Sequence, residues 1–192
     1  VIVFHELVYK LMHTFAKKFK KMGCKNMFIE RKLTNSLLAG AAQAPVRAVV
    51  GPRQSGKSTL IKKLFPSYLY LDMQDADHYA FASTDPKGFL ESYRAYPGVI
   101  IDEAQYTPQL FPQLKVEVDK NPRPGFYILS GSQHFLLHEK ISESLAGRAY
   151  LYTLLPFSLA ELKNAGLLST EIHKQMMNVF FNDAATTEIY TA

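Results

Sequence analysis

Residues 46–64 read Val46-Arg47-Ala48-Val49-Val50-Gly51-Pro52-Arg53-Gln54-Ser55-Gly56-Lys57-Ser58-Thr59-Leu60-Ile61-Lys62-Lys63-Leu64. At their centre stands G-x-x-x-x-G-K-[ST], with a largely apolar run before it and Leu60–Leu64 after it. The context gives the pattern its meaning: a buried strand feeds a loop, and the loop opens a helix. A triphosphate is held by successive backbone N–H groups, so such a loop must curl tightly and let the chain approach closely. Gly51 and Gly56 permit this because they carry no Cβ. The free amides and the dipole at the start of the next helix favour the same anion. Within Gly51, Pro52, Arg53, Gln54, Ser55, Gly56, Lys57, Ser58 and Thr59, Lys57 supplies a mobile charge for the β- and γ-phosphates. The Ser58 hydroxyl is placed to ligate Mg²⁺.

A second motif lies about 50 residues downstream. In Pro97-Gly98-Val99-Ile100-Ile101-Asp102-Glu103-Ala104-Gln105 an apolar strand ends in an acidic pair. Asp102, at the strand tip, can hold the magnesium shell. Glu103 can accept a hydrogen bond from a water attacking the γ-phosphate. An aspartate alone suits a nucleotide kinase, which keeps water away from its phosphate; Asp followed by Glu suits an enzyme that hydrolyses. Farther on, Phe126-Tyr127-Ile128-Leu129-Ser130 is another apolar strand. Ser130 at its tip is a candidate to sense the γ-phosphate or orient the water. Arg148, after Ala146-Gly147, is a candidate charge-stabilising finger on a phosphate of its own subunit or a neighbour's, with an exposed structural arginine as the alternative.

Composition bounds the class. The chain has 192 residues, 47% hydrophobic and 20% charged, which fits one ordinary globular domain. No apolar run approaches the ~20 residues of a membrane-spanning helix. The single Cys24 excludes an internal disulfide framework and suits a reducing, cytoplasmic setting. No Cys/His cluster has metal-ligand spacing, and the six histidines are scattered without partner spacing. The net charge of +5 is localised. Residues 1–32 hold eight Lys/Arg against Glu6 and Glu30, leaving 14 basic and 15 acidic residues in the remainder. The globular part is therefore near neutral, a weak basis for nucleic-acid binding.

The basic leader, residues 1–26, has apolar residues Phe4, Leu7, Val8, Leu11, Phe15, Phe19 and Met22 at helical steps. Three readings fit: upstream sequence before a start at Met27, a helix packing on the domain or a partner, or a membrane-surface helix. Helices are expected over 28–40, 57–65, 86–96, 108–120, 134–145 and 159–164. Strands are expected over 46–50, 68–72, 99–102, 126–130 and 149–155, with the polar run 73–78 as a loop. Beyond Gly166 a helix is expected over 170–181, and 182–192 has no clear pattern. Alternation of strands with helices predicts an α/β three-layer sandwich: about five mostly parallel strands, helices on both faces, in the order 5-1-4-3-2. The strand carrying Ser130 should lie between those carrying the phosphate loop and Asp102, the order that brings all three to one γ-phosphate.

In this order GPRQSGKST, PGVIIDEAQ, ILSGSQ, SLAGR and LLPFSLAEL resemble the prokaryotic AAA-type P-loop ATPases that pair this domain with a C-terminal domain of unknown function (the DUF4143 group). The resemblance covers roughly 27–162. It implies ATP binding at Gly51–Thr59 (Walker A), magnesium and water handling at Asp102 and Glu103 (Walker B), a sensor-like role for Ser130 and a phosphate-facing Arg148. Family members often carry threonine where this chain has Ser130, which keeps the hydroxyl. They also continue for about another domain, so on this resemblance the chain looks truncated, with a tail over 166–192. A small-molecule kinase should lack Glu103 and carry a basic lid; a helicase-type motor needs two such domains; a nucleotide-binding module that does not hydrolyse is the non-enzymatic alternative. ATP rather than GTP is implied by the resemblance, and no guanine-reading N-K-x-D run is present. Homo-oligomers, protein partners and nucleic acid are all compatible with these motifs.

Overall fold

The computed structural model describes residues 28–40, 44–132, 141 and 143–166. The chain divides into Val1–Glu30 and Arg31–Ala192. Of the first unit, the described residues 28–30 have no regular structure. The leader helix, most of the helix expected over 134–145 and the segment after 166 lie outside the described residues.

In the second unit five strands form one sheet: β1 (Val46–Val50), β2 (Leu69–Asp72), β3 (Val99–Asp102), β4 (Tyr127–Gly131) and β5 (Ala149–Thr153). Every pairing is parallel, and the order is β2-β3-β4-β1-β5. This is the anticipated 5-1-4-3-2, with β4 between β1 and β3. Parallel neighbours require crossovers. These contain α2 (Lys57–Leu64), α3 (Ala76–Thr84), α4 (Pro86–Ser92) and α5 (Leu110–Lys120), while α1 (Leu33–Ala39) precedes β1 and α6 (Leu159–Asn164) follows β5.

Side chains alternate across a strand, and the alternation splits the core in two. Val46, Ala48, Val50, Val99, Ile101, Tyr127 and Leu129 join Phe89, Leu90, Phe111 and Leu114 of α4 and α5 on one face. Val49, Ile100 and Ile128 meet Leu37, Leu60, Ile61 and Phe65 on the other. Each fully buried side chain of this kind contributes about 1.5–3 kcal/mol. The alternation also places the polar tips. Asp102 follows Ile100, and Ser130 follows Ile128, onto the α2 face. Arg47 shares that face and is wholly buried. It donates to the carbonyls of Gly125 (2.6 Å) and Leu37 (3.3 Å) and lies 4.3 Å from the centre of the Phe65 ring.

The helix expected over 86–96 ends at Ser92, that over 108–120 begins at Leu110 and the strand over 149–155 ends at Thr153; two further elements depart more. Helix α1 begins at Leu33 instead of Phe28, because Arg31 is anchored by tertiary hydrogen bonds described below. The expected loop 73–78 gives way to α3, which starts at Ala76. Its N-cap, Asp75, accepts from the amides of Asp77 (3.0 Å) and His78 (3.2 Å). The cap satisfies amides that the first turn leaves free.

Candidate functional site

Gly51–Gly56 connects the end of β1 to α2. A Cβ on Gly51 would fall 2.1 Å from the Leu154 carbonyl oxygen, so the β5 exit packs directly against the loop. Gly56 adopts φ 90° as the N-cap of α2, and Gln54 also turns left-handed at φ 62°. Leu60 is the residue whose amide reaches back to Gly56 O, at 2.9 Å. The amides ahead of it in the helix have no intrahelical acceptor.

Lys57 is buried, and its Nζ donates to the carbonyls of Gly51 (2.9 Å) and Pro52 (2.8 Å). Burial lowers its pKa, opposed by the charges of Glu103 and Asp102. An ammonium has three donors, so one remains after these two bonds. The site therefore presents a desolvated cation braced by neutral carbonyls.

Asp102 is the hub. Its Oδ2 accepts from Ser58 Oγ (2.6 Å) and from the Tyr70 hydroxyl. Its Oδ1 accepts from Ser130 Oγ and from the Glu103 amide (3.0 Å). Burial on its own would raise this carboxyl; the donors Ser130, Ser58, Tyr70 and Glu103 N–H outweigh it and hold the pKa below the ordinary value. The same neighbourhood pushes the Tyr70 phenol up, by burial first and then by its bond to Asp102. Glu103 leaves the strand at φ 53°. Its Oε2 accepts from the Ser132 amide (3.3 Å), Ser132 Oγ (3.0 Å) and Gln105 Nε2.

A cavity of about 370 Å³ opens over the loop. Arg53, Gln54, Gly56, Lys57, Ser58 and Thr59 line it together with Gln74 and Glu103. Asp102 and the wholly buried Ser130 are not among these lining residues; Ser130 is tied to the site by its hydrogen bond to Asp102. The sequence candidates Lys57, Ser58, Asp102, Glu103 and Ser130 are thus brought together.

Arg148 is not brought to them. Its carbonyl accepts from Val46 N at 3.2 Å, at the start of β1. The phosphate loop begins at the other end of that strand, about 16 Å away at ~3.3 Å per residue. Its guanidinium forms a fork on Asp119, at 2.5 and 2.9 Å. Geometry thus removes the own-subunit half of the expectation.

Three contributors escaped sequence reading. Tyr70 was counted only as a strand residue, although its alternation with Leu71 directs it to Asp102. Gln74 fell in a run read as loop. Arg31 sits under the phosphate loop and donates to Ser55 O at 2.8 Å; its partners are too distant in sequence to leave a local signal.

Among the described residues no three His, Cys, Asp or Glu gather as a metal cage, and no helix is long and apolar enough to cross a membrane.

Comparison with known proteins agrees with this architecture. The AAA-domain family matches residues 43–163. An uncharacterized protein of Mycobacterium bovis is 36% identical over 148 residues, which are 74% of this chain and 32% of that protein. An uncharacterized protein of Mycobacterium tuberculosis matches with the same figures. The chain thus spans about a third of the length of these relatives. The Walker-type ATPase PABY2304 of Pyrococcus abyssi superposes with a TM-score of 0.51 at 18% identity, over 75% of this chain and 61% of that one. It shares the fold. With a family match over most of the chain, on a parallel sheet of P-loop order, this protein belongs to the AAA-domain family of P-loop ATPases.

Proposed function

We propose that the domain binds MgATP at Gly51–Thr59 and hydrolyses its γ-phosphate with Glu103 as the base. The observation that carries the reading is the convergence of Lys57, Ser58 and Glu103 on one cavity, with Asp102 fixed directly behind Ser58. The free amides of the α2 start and the spare donor of Lys57 fit an anion. The Ser58–Asp102 pair fits Mg²⁺: a hard cation takes oxygen donors, keeps several waters, and uses one or two carboxylates plus substrate phosphates. When bound, Mg²⁺ would neutralise charge developing on the phosphate oxygens. Ser130, Tyr70 and the Glu103 amide keep Asp102 ionised and oriented toward that position. Lys57 binds phosphate oxygens. Glu103 orients the attacking water and takes its proton, and Gln74 lines the same cavity. Of the Arg148 readings, a structural arginine paired with Asp119 fits the contacts made, and a part in a neighbouring subunit's site is the other that remains.

One observation favours a second reading. Three donors, from Ser132 and Gln105, engage Glu103 Oε2, so half of the carboxylate is committed to the protein and Oε1 is left to meet a water. A domain that binds ATP without hydrolysing it would keep Glu103 in that state. Glu103→Gln separates the two readings. For an ATPase it should retain MgATP affinity within about twofold and lower turnover by about 10²–10⁴. Turnover that is equally slow in wild type and variant would support the non-hydrolysing module and contradict the base assignment.

A further inference from the structure

The residue whose placement the proposed reading does not use is Arg31. It is 5% exposed, and each of its three nitrogens reaches a different part of the unit. Nη1 donates to Ser55 O (2.8 Å) in the phosphate loop, Nη2 to Leu155 O (2.5 Å) just after β5, and Nε to Glu161 Oε1 (3.1 Å) in α6. Its guanidinium also lies 4.4 Å from the centre of the Phe157 ring. Glu161 is itself a junction: its carboxylate accepts from Lys32 N (2.8 Å), Ser158 N (2.7 Å) and Ser158 Oγ (3.0 Å), and the Ser158 N bond, with the reciprocal Glu161 N–H donating to Ser158 Oγ (3.3 Å), makes the capping box of α6.

The bond to Ser55 O has a consequence for the loop. A trans peptide is planar, and its C=O and N–H point in opposite directions; no peptide among the described residues is cis. Fixing the Ser55 carbonyl therefore fixes the direction of the Gly56 N–H, one of the amides that would cradle a phosphate. Arg31 Nη1 is also the atom nearest to where a Gly56 Cβ would stand, at 3.6 Å, so the guanidinium backs the turn itself. The other two nitrogens hold the segment 155–161. One rigid fork spans all three elements, and a change in the loop's peptide plane must be felt at the capping box of α6.

We propose that Arg31 is a positioning residue for the nucleotide: it sets the Gly56 amide for the phosphate and, through Glu161, couples occupancy of the loop to the order of α6. The proposal rests on the nucleotide-binding reading above. Coupling between two sites is reciprocal, so nucleotide should steady α6, and breaking the fork should weaken nucleotide binding.

The test is amide hydrogen exchange of the full chain with and without the Mg²⁺ complex of a non-hydrolysable ATP analogue, beside a binding titration with the same probe. In the wild type, amides 159–164 should become more protected on binding. Arg31→Lys keeps the charge but loses the fork, and should bind about tenfold more weakly. If that variant fails to fold, the double variant Arg31→Met/Glu161→Gln removes both buried charges together. It should recover most of the melting temperature while affinity stays about tenfold down and the protection of 159–164 disappears. A double variant that regains affinity together with stability would show that Arg31 merely holds the fold, and would overturn the proposal. So would wild-type binding that leaves 159–164 unchanged. If the wild type does not bind the analogue at all, the nucleotide-binding reading fails first, and the titration reports that separately.

Discussion

A single carboxylate, Asp102, carries most of the site's order. Four donors converge on it, from β2, β4, the start of α2 and the residue just after β3, and the Tyr70 hydroxyl is the donor supplied by an edge strand. A hydrogen bond to an ionised group is worth more than one to a neutral group, so Tyr70→Phe should cost about 1.5 kcal/mol in urea unfolding. A loss indistinguishable from zero would mean that the hydroxyl is not engaged. Asp102, Glu103, Lys57, Ser58 and Ser130 could be named from the sequence because each stands at a fixed offset in a motif whose chemistry needs that group. Arg31 could not, since its partners Ser55, Leu155 and Glu161 lie 24, 124 and 130 positions away. For Arg148 the sequence leaves two readings open for a related reason: the Ala146-Gly147 turn shows that an arginine follows a bend, but not which end of the sheet the bend occupies, and the fork on Asp119 fits the exposed structural arginine.

At the level of elements, the phosphate loop and the β5 exit are one packed unit. The Leu154 amide donates to Val50 O at 2.8 Å, and the Leu154 carbonyl occupies the space a Gly51 Cβ would need. Gly51→Ala must therefore push backbone against backbone. It should destabilise the domain by about 1–3 kcal/mol and weaken nucleotide binding, measurable by thermal unfolding and titration. Full affinity in that variant would mean that the close approach is irrelevant to the ligand. The strands were legible because buried parallel strands read as short apolar runs between turn signals. Helix α3 was not. Its first residues, Ala76-Asp77-His78, carry little apolar periodicity, and Gln74-Asp75 before them reads as loop until Asp75 is seen as an N-cap. Helix α6 is found over the residues where the sequence places it, 159–164.

For the whole molecule, strand order follows from chemistry as much as from hydrophobicity: one phosphate can meet the loop, Asp102 and Ser130 only if β4 separates β1 from β3, and that is the arrangement found. The same buried carboxylates set the acid limit of the fold. Asp102 and Glu161 have folded pKa values held below their ordinary 3.8 and 4.5, burial being outweighed at each by its hydrogen-bond donors. Near those values the unfolded chain binds more protons than the folded one. Their contribution to stability is therefore complete above about pH 5 and is lost as pH falls through the folded values. Urea midpoints should be flat from pH 7 to 5 and drop steeply below 4, with a shallower drop in Asp102→Asn; an equally steep drop in that variant would remove Asp102 from the explanation. Whether Gly51–Thr59 is a nucleotide site built around Lys57 is decided by calorimetric titration of MgATP into the full chain and into Lys57→Ala. Saturable binding by the wild type is expected, with at least a tenfold loss, about 1.4 kcal/mol, in the variant. Equal affinity in the two proteins, or no binding by a folded wild type, would contradict it.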